Sequence, residues 1–147
     1  MEKYVCNLEL AKKLKELGVN RKEECGFYWR CASQLNPDWV LLYKTSKMFD
    51  RNSIYYSAFS VGELGGMLPS YMKPIGIIDD SIERIKTERN GGHYVCYYKQ
   101  IKKEGNSTIT KIIEFSEPFE ANARAKMLIY LIENKLIEVK NGTLQGS

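Results

Sequence analysis

A chain of 147 residues, 44% of them hydrophobic, has the length and apolar content of one domain around one sizeable core, which argues against a second independent domain. Its 22 Lys and Arg against 18 Asp and Glu give a formal charge of +4 with acids interspersed throughout, a balance that permits contact with nucleic acid but equally describes an ordinary solvated surface. Four cysteines, Cys6, Cys25, Cys31 and Cys96, form neither a CxxC pair nor a disulfide-dense framework, so reduced thiols in a cytosolic compartment are expected.

The first predicted element is a helix from about Asn7 to Leu17. Asn7 is placed to cap it, Gly18 stands where a left-handed residue closes a helix, and Leu10, Leu14 and Leu17 recur on one stripe. Three beta-prone runs follow near 26–31, 38–44 and 53–59, separated by turn formers, and read as an antiparallel meander. In the last run Ile54 and Tyr56 face one way and Tyr55 and Ser57 the other. Ser60 and Glu63 have capping-box spacing, and Pro69 limits the helix they open to about two turns. Between Pro74 and Gly91, Ile78, Ile82 and Ile85 recur at helical spacing, which predicts a second helix there.

The stretches around 93–101 and 107–115 read as a hairpin with Glu104, Gly105 and Asn106 at its tip. Val95, Tyr97 and Ile101 are expected on one face of its first strand, and Ile109, Ile113 and Phe115 on one face of the second. The final helix is entered through Ser116 and Pro118, with Glu117 and Glu120 where the helix dipole favours acids. It carries the stripe Ala121, Ala125, Leu128 and Ile132. A second apolar face, Ala123, Met127 and Tyr130, implies either that the helix is wrapped on two sides or that it forms a homodimer interface.

These elements predict an α+β fold in which an antiparallel sheet of about five strands is packed by N-terminal and C-terminal helices. The single domain is expected over 1–140, with a flexible tail at 141–147. The expected core residues are Trp29, Val40, Leu42, Ile54, Tyr56, Val95, Ile113, Leu128 and Ile132.

The segments YYSAFSVGELGGMLP, 55–69, and ANARAKMLIYLIENKLI, 121–137, resemble a group of small uncharacterised phage, prophage and gut-bacterial proteins. Its members carry a YYxAxTxxELGxxLP block and an ADAxAxMLIWLIEN-like helix. Tyr56, Ala58, Ser60, Glu63, Leu64, Gly65, Leu68 and Pro69 match the first block. Ala121, Ala125, Met127, Leu128, Leu131, Glu133 and Asn134 match the second, and the aromatic strand at 27–30 is also similar. Residues 70–115 and Asn122 depart from the pattern. The resemblance implies a phage or mobile-element accessory protein and assigns no catalytic residue.

No cluster of residues suggests catalysis. The single histidine, His93, has no companion at a ligand spacing, and Cys25 and Cys31 are better read as small apolar groups than as zinc ligands. Asp79 and Asp80 read as helix-capping residues, Glu63 belongs to the capping box, and the glycines form no phosphate loop. Neither a cofactor nor a metal is therefore expected. The longest nearly apolar run, Met127–Ile132, is far below the roughly 20 residues a membrane helix needs, so a soluble, cytoplasmic chain is expected.

The remaining feature is aromatic. Ten tyrosines and their basic neighbours, foremost Tyr28, Arg30, Tyr43, Tyr55, Tyr98 and Lys99, with Lys102, Lys103 and Lys111 alongside, form a candidate interaction surface. Strand alternation forbids all the aromatics from serving one face, so about half should be core. The leading expectation is a non-enzymatic protein that binds a protein partner or a second copy of itself. The alternatives are a single-strand nucleic-acid binder, recognisable by stacking and salt dependence, and a protein that sequesters a small nucleotide.

Overall fold

The computed structural model describes the chain apart from residues 22, 24, 36, 46–48, 70, 73–82, 141, 142 and 147, and describes backbone alone at 71–72, 83–84, 100–104, 108–111 and 143–146. It has the α+β architecture expected, with antiparallel strands packed by N-terminal and C-terminal helices. After a short 3-10 turn come α1 (Leu8–Glu16), β1 (Gly26–Cys31), β2 (Trp39–Lys44), β3 (Ile54–Ser57) and α2 (Val61–Met67). Then follow β4 (Tyr71–Met72), β5 (Glu83–Arg84), β6 (Lys86–Asn90), β7 (His93–Glu104), β8 (Ser107–Glu117), α3 (Glu120–Glu133), β9 (Ile137–Lys140) and β10 (Thr143–Gly146). The strands divide into a first three-stranded sheet, β2-β1-β3, a second, β6-β7-β8, and the pairs β4-β5 and β9-β10. Thr143–Gly146, part of the expected tail, pairs in register with Ile137–Lys140. Among the described residues no helix is long and apolar enough to cross a membrane.

The helix ends follow from local chemistry. The Asn7 side chain accepts the Leu10 N–H at 3.0 Å. At the other end Gly18 takes φ +84°, so that its N–H bonds the Lys15 carbonyl and the Val19 N–H the Leu14 carbonyl, a Schellman closure. α2 opens with the expected capping box: the Glu63 N–H donates to Ser60 Oγ, and the Ser60 N–H to Glu63 Oε2 at 2.8 Å. Gly65 leaves room for the Arg124 guanidinium, into which a Cβ would run. α3 begins later than expected, because β8 runs on to Glu117 and pairs Ser116 with Val95; Phe119 takes the cap position without a side-chain bond.

α3 is the centre of the core. It lies on the β7–β8 hairpin and is also packed by α1, α2 and β9. Ala121, Ala123, Ala125, Met127, Leu128 and Leu131 are all fully buried, so the wrapped alternative holds and the small residues admit close neighbours. Phe59, Leu14 and Leu64 are buried as well, each contributing roughly 1.5–3 kcal/mol for a fully buried large side chain. Buried Asn122 ties α3 to the start of α1 by accepting the Asn7 N–H at 2.9 Å.

Several expectations are corrected. Residues 86–90 are strand β6, paired to β7 across the Gly91-Gly92 turn, although the isoleucine spacing predicted helix; Ile78 and Ile82 lie outside the described residues. The inward face of β7 carries Cys96 and Tyr98, opposite Phe115 and Ile113, while Val95 and Tyr97 point the other way. Ile109 and Ile101 have no described side chains. Of the expected core, Leu128 is fully buried, and Trp29, Tyr56, Ile113 and Ile132 pack against the buried core cluster. Leu42 and Ile54 are half-buried, whereas Val40 is 49% exposed.

Candidate binding region on the first sheet

Register divides the first sheet's side chains between two faces. β1 pairs β2 with Phe27 opposite Tyr43, Trp29 opposite Leu41 and Cys31 opposite Trp39, and pairs β3 with Trp29 opposite Tyr56. Directly opposed residues share a face, so this face holds Phe27, Trp29, Leu41, Tyr43 and Tyr56. It packs inward through Trp29 and Tyr56, and Trp29 Nε1 donates to the Cys6 carbonyl at 3.0 Å. α1 runs beside the β3 edge, with Lys15 Nζ 4.9 Å above the Tyr56 ring and Lys12 Nζ 5.3 Å from the Trp39 ring.

The other face holds Tyr28, Arg30, Val40, Leu42, Lys44, Tyr55 and Ser57. Tyr28 and Tyr55 stand edge to face at 6.3 Å, and Phe49, from the β2–β3 connection, completes a three-ring cluster at 5.3 Å from Tyr28 and 5.1 Å from Tyr55. Lys44, only 4% exposed, lies over this cluster with Nζ 3.7 Å from the Tyr55 ring and 4.4 Å from Phe49. Burial opposes ionisation of the Tyr55 phenol, but Lys44 and the Asp50 N–H, 3.1 Å from the phenol oxygen, outweigh it and hold its pKa below the ordinary value. Asp50 organises the connection by accepting the Asn52 N–H and the Ser53 hydroxyl, which lower its own pKa, and it lies 3.6 Å from Arg30.

Arg21 supports this face from below. It forms a two-point pair with Glu63, Nε at 2.6 Å and Nη2 at 3.2 Å, and donates to the carbonyls of Phe27 and Ala58. Its guanidinium stacks 4.7 Å from the Tyr28 ring. For Glu63, burial pushes the pKa up, but Arg21 and the Ser60 N–H outweigh that and hold it below the carboxylate range. A cleft of about 240 Å³ opens between α1 and this face, lined by Lys15, Asn20, Glu23, Tyr28, Phe49 and Tyr55 among others. A second, of about 180 Å³, lies by Tyr4, Tyr94 and Phe119.

The structure brings together three of the six expected surface residues. Tyr28, Arg30 and Tyr55 share one face, although Tyr28 is buried; Tyr43 is 57% exposed on the opposite face, its ring 5.2 Å from Phe27. Tyr98 is core, and burial followed by the nearby Tyr130 pushes its phenol up to about 12. Lys99 is exposed on the second sheet, away from the cluster. Ala123 and Met127 are fully buried and Tyr130 packs on Phe115 and the core, so intrachain packing takes up the face suggested for dimerisation.

Arg21, Lys44 and Phe49 were missed. Lys44 was reachable, since it shares strand parity with Leu42, but Arg21 meets Glu63 across 42 positions and no local pattern marks it. Among the described residues no three His, Cys, Asp or Glu side chains come together as a metal site. His93 is exposed at the β6–β7 turn, Asp79 and Asp80 lie outside the described residues, and so do the side chains of Lys102, Lys103 and Lys111. Comparison with known protein families, with curated proteins and with solved structures gave no match in any of the three.

Proposed function

We propose that this is a non-catalytic binding protein that docks a protein partner along the rim of its first sheet. One observation carries this reading. Of the eight large apolar side chains left exposed among the described residues, four, Leu35, Val40, Tyr43 and Phe49, lie on β2 or on the connections flanking it. Clustered exposed apolar groups mark protein interaction sites, whereas singly scattered ones do not. Val40 and Tyr43 point to opposite faces, and a partner at the sheet's edge reaches both. The resemblance of residues 55–69 and 121–137 supports a role as a phage or mobile-element accessory protein.

A nucleic-acid platform fits less well, because the Tyr28, Phe49 and Tyr55 rings contact one another and carry Lys44 and Arg21 on their faces. To test the docking reading, a photoreactive phenylalanine analogue replaces Tyr43 in one preparation and Lys99 in another, within the host cell. The reading expects crosslinked protein from position 43 and none from position 99. Crosslinking from 99 alone overturns it.

The cleft beside α1 favours a second reading, a small aromatic ligand such as a nucleotide, with the rings providing apolar contact and Asn20, Lys15 and Glu23 polar contact. Such a ligand raises the melting temperature of the wild type but not of Tyr55→Ala. A nucleotide series that leaves both unshifted removes this reading.

A further inference from the structure

The second cleft takes none of its lining from the first sheet. Its walls are Lys3 and Tyr4 from the 3-10 turn, Val61 at the start of α2, Tyr94 on β7, and Phe119 and Glu120 where α3 begins. Outside the rim of the first sheet, four large apolar side chains are exposed among the described residues, and Tyr4 and Phe119, at 59% and 45%, are two of them. Among the described residues Tyr4, Tyr94 and Phe119 stack on no other ring, in contrast to Tyr28, Phe49 and Tyr55, which pack on one another. The cleft thus offers aromatic surface that the fold leaves partly uncovered. Its walls are also braced. Arg124, one turn along α3, donates from Nη2 to Glu120 Oε1 at 2.6 Å and from Nη1 to the Val61 carbonyl at 3.2 Å, and the Val5–Ser60 bridge holds the 3-10 turn beside α2. Walls fixed before binding lose less freedom when a ligand arrives.

Charge and volume select the ligand. Arg124 neutralises Glu120, which leaves Lys3, its Nζ 5.1 Å from the Tyr4 ring, as the one lining charge without an ion-pair partner among the described residues. An anion is therefore attracted and a cation repelled. An apolar cavity of about 150 Å³ takes one benzene, so a cleft of about 180 Å³ accommodates a single six-membered ring with a small substituent. We infer that this cleft binds a small aryl carboxylate, of which benzoate is the simplest, with the ring among Tyr4, Tyr94 and Phe119 and the carboxylate toward Lys3. Offset or edge-to-face contacts with three rings supply the apolar part of the binding, and Lys3 supplies the preference for the acid. The inference is independent of docking at the first sheet and of a ligand in the first cleft.

NMR titration of the full chain, labelled at its aromatic rings, tests this with benzoate, and with benzyl alcohol and benzylamine as neutral and cationic ligands carrying the same ring. Benzoate should shift the Tyr4, Tyr94 and Phe119 signals saturably at millimolar concentration and bind about fivefold more tightly than benzyl alcohol, the upper range of an exposed ion pair. Benzylamine should bind more weakly than either. Phe119→Ala, an exposed site whose fold is checked by circular dichroism, should weaken both benzoate and benzyl alcohol about tenfold, read at Tyr4 and Tyr94. Lys3→Gln should bring benzoate to the level of benzyl alcohol and leave benzyl alcohol unchanged, a split that a general loss of structure does not produce. The inference is overturned if benzoate gives no saturable shift, if benzylamine binds as tightly as benzoate, if Phe119→Ala binds as the wild type does, or if Lys3→Gln keeps the preference for the acid. Shifts at Tyr28, Phe49 and Tyr55 in place of these rings overturn it as well, and assign the ligand to the first cleft.

Discussion

Arg21→Met should reveal how strongly the support beneath the candidate binding region is held. The Arg21 side chain is 5% exposed and that of Glu63 32%, so losing the guanidinium leaves a carboxylate that water reaches only in part. Methionine retains the apolar stem but removes the two-point ion pair, the bonds to the Phe27 and Ala58 carbonyls and the guanidinium stack on Tyr28. A hydrogen bond to a charged group contributes about 1.5–3 kcal/mol and breaking a buried pair costs about 3–5; with Glu63 partly hydrated, a loss of about 3 kcal/mol follows. Urea unfolding followed by fluorescence of Trp29 and Trp39 measures it.

The pH dependence gives a second readout. The folded pKa of Glu63 lies below the ordinary value of 4.5, so its contribution is fully present above that value and is lost as pH falls through the folded one. The stability gap between wild type and Arg21→Met should therefore be constant near neutrality and narrow below about pH 4.5. A loss under about 0.5 kcal/mol at pH 7, the range of an exposed ion pair, would refute the assignment of Arg21 as a buried support.

Lys135 closes α3 with φ +57° in a Schellman turn, its N–H bonding the Ile132 carbonyl and the Leu136 N–H the Leu131 carbonyl. Lys135→Gly should relieve left-handed strain and raise stability by about 1 kcal/mol, read as a higher urea midpoint at unchanged slope. Leu128→Ala, at a fully buried position on α3, should cost about 2–5 kcal/mol in the same assay. Among the thiols, Cys25 is exposed while Cys6, Cys31 and Cys96 are buried, and burial pushes Cys6 up to about 12 and raises Cys96. A chromogenic disulfide reagent should modify one thiol quickly in the native protein and the other three only on unfolding.

The features legible in the sequence are those with short-range causes. Asn7 with Gly18, and Ser60 with Glu63, mark helix ends within a few residues, and the structure uses each as its spacing suggests. The β7–β8 hairpin was legible from its turn, but its inward face was not: Val95, Cys96, Tyr97 and Tyr98 are apolar or aromatic at both parities, and the packing of α3 selects Cys96 and Tyr98. Ile82 and Ile85 fit a helical period, yet pairing with β7 makes 86–90 a strand, a tertiary choice that overrides local pattern. The candidate binding region was half visible. Tyr28 and Tyr55 stand out in the sequence as β-prone aromatics, but only the β1–β3 register brings them together, and only the fold reveals that Lys44 and Arg21 occupy their ring faces.

Amide hydrogen exchange of β2 tests the proposed docking rim most directly, read residue by residue across Trp39–Tyr43 before and after host extract is added. The account predicts that amides of Trp39–Tyr43 that are not bonded to β1 gain protection when the extract is added. Exchange at these residues that is the same with and without extract would contradict the account.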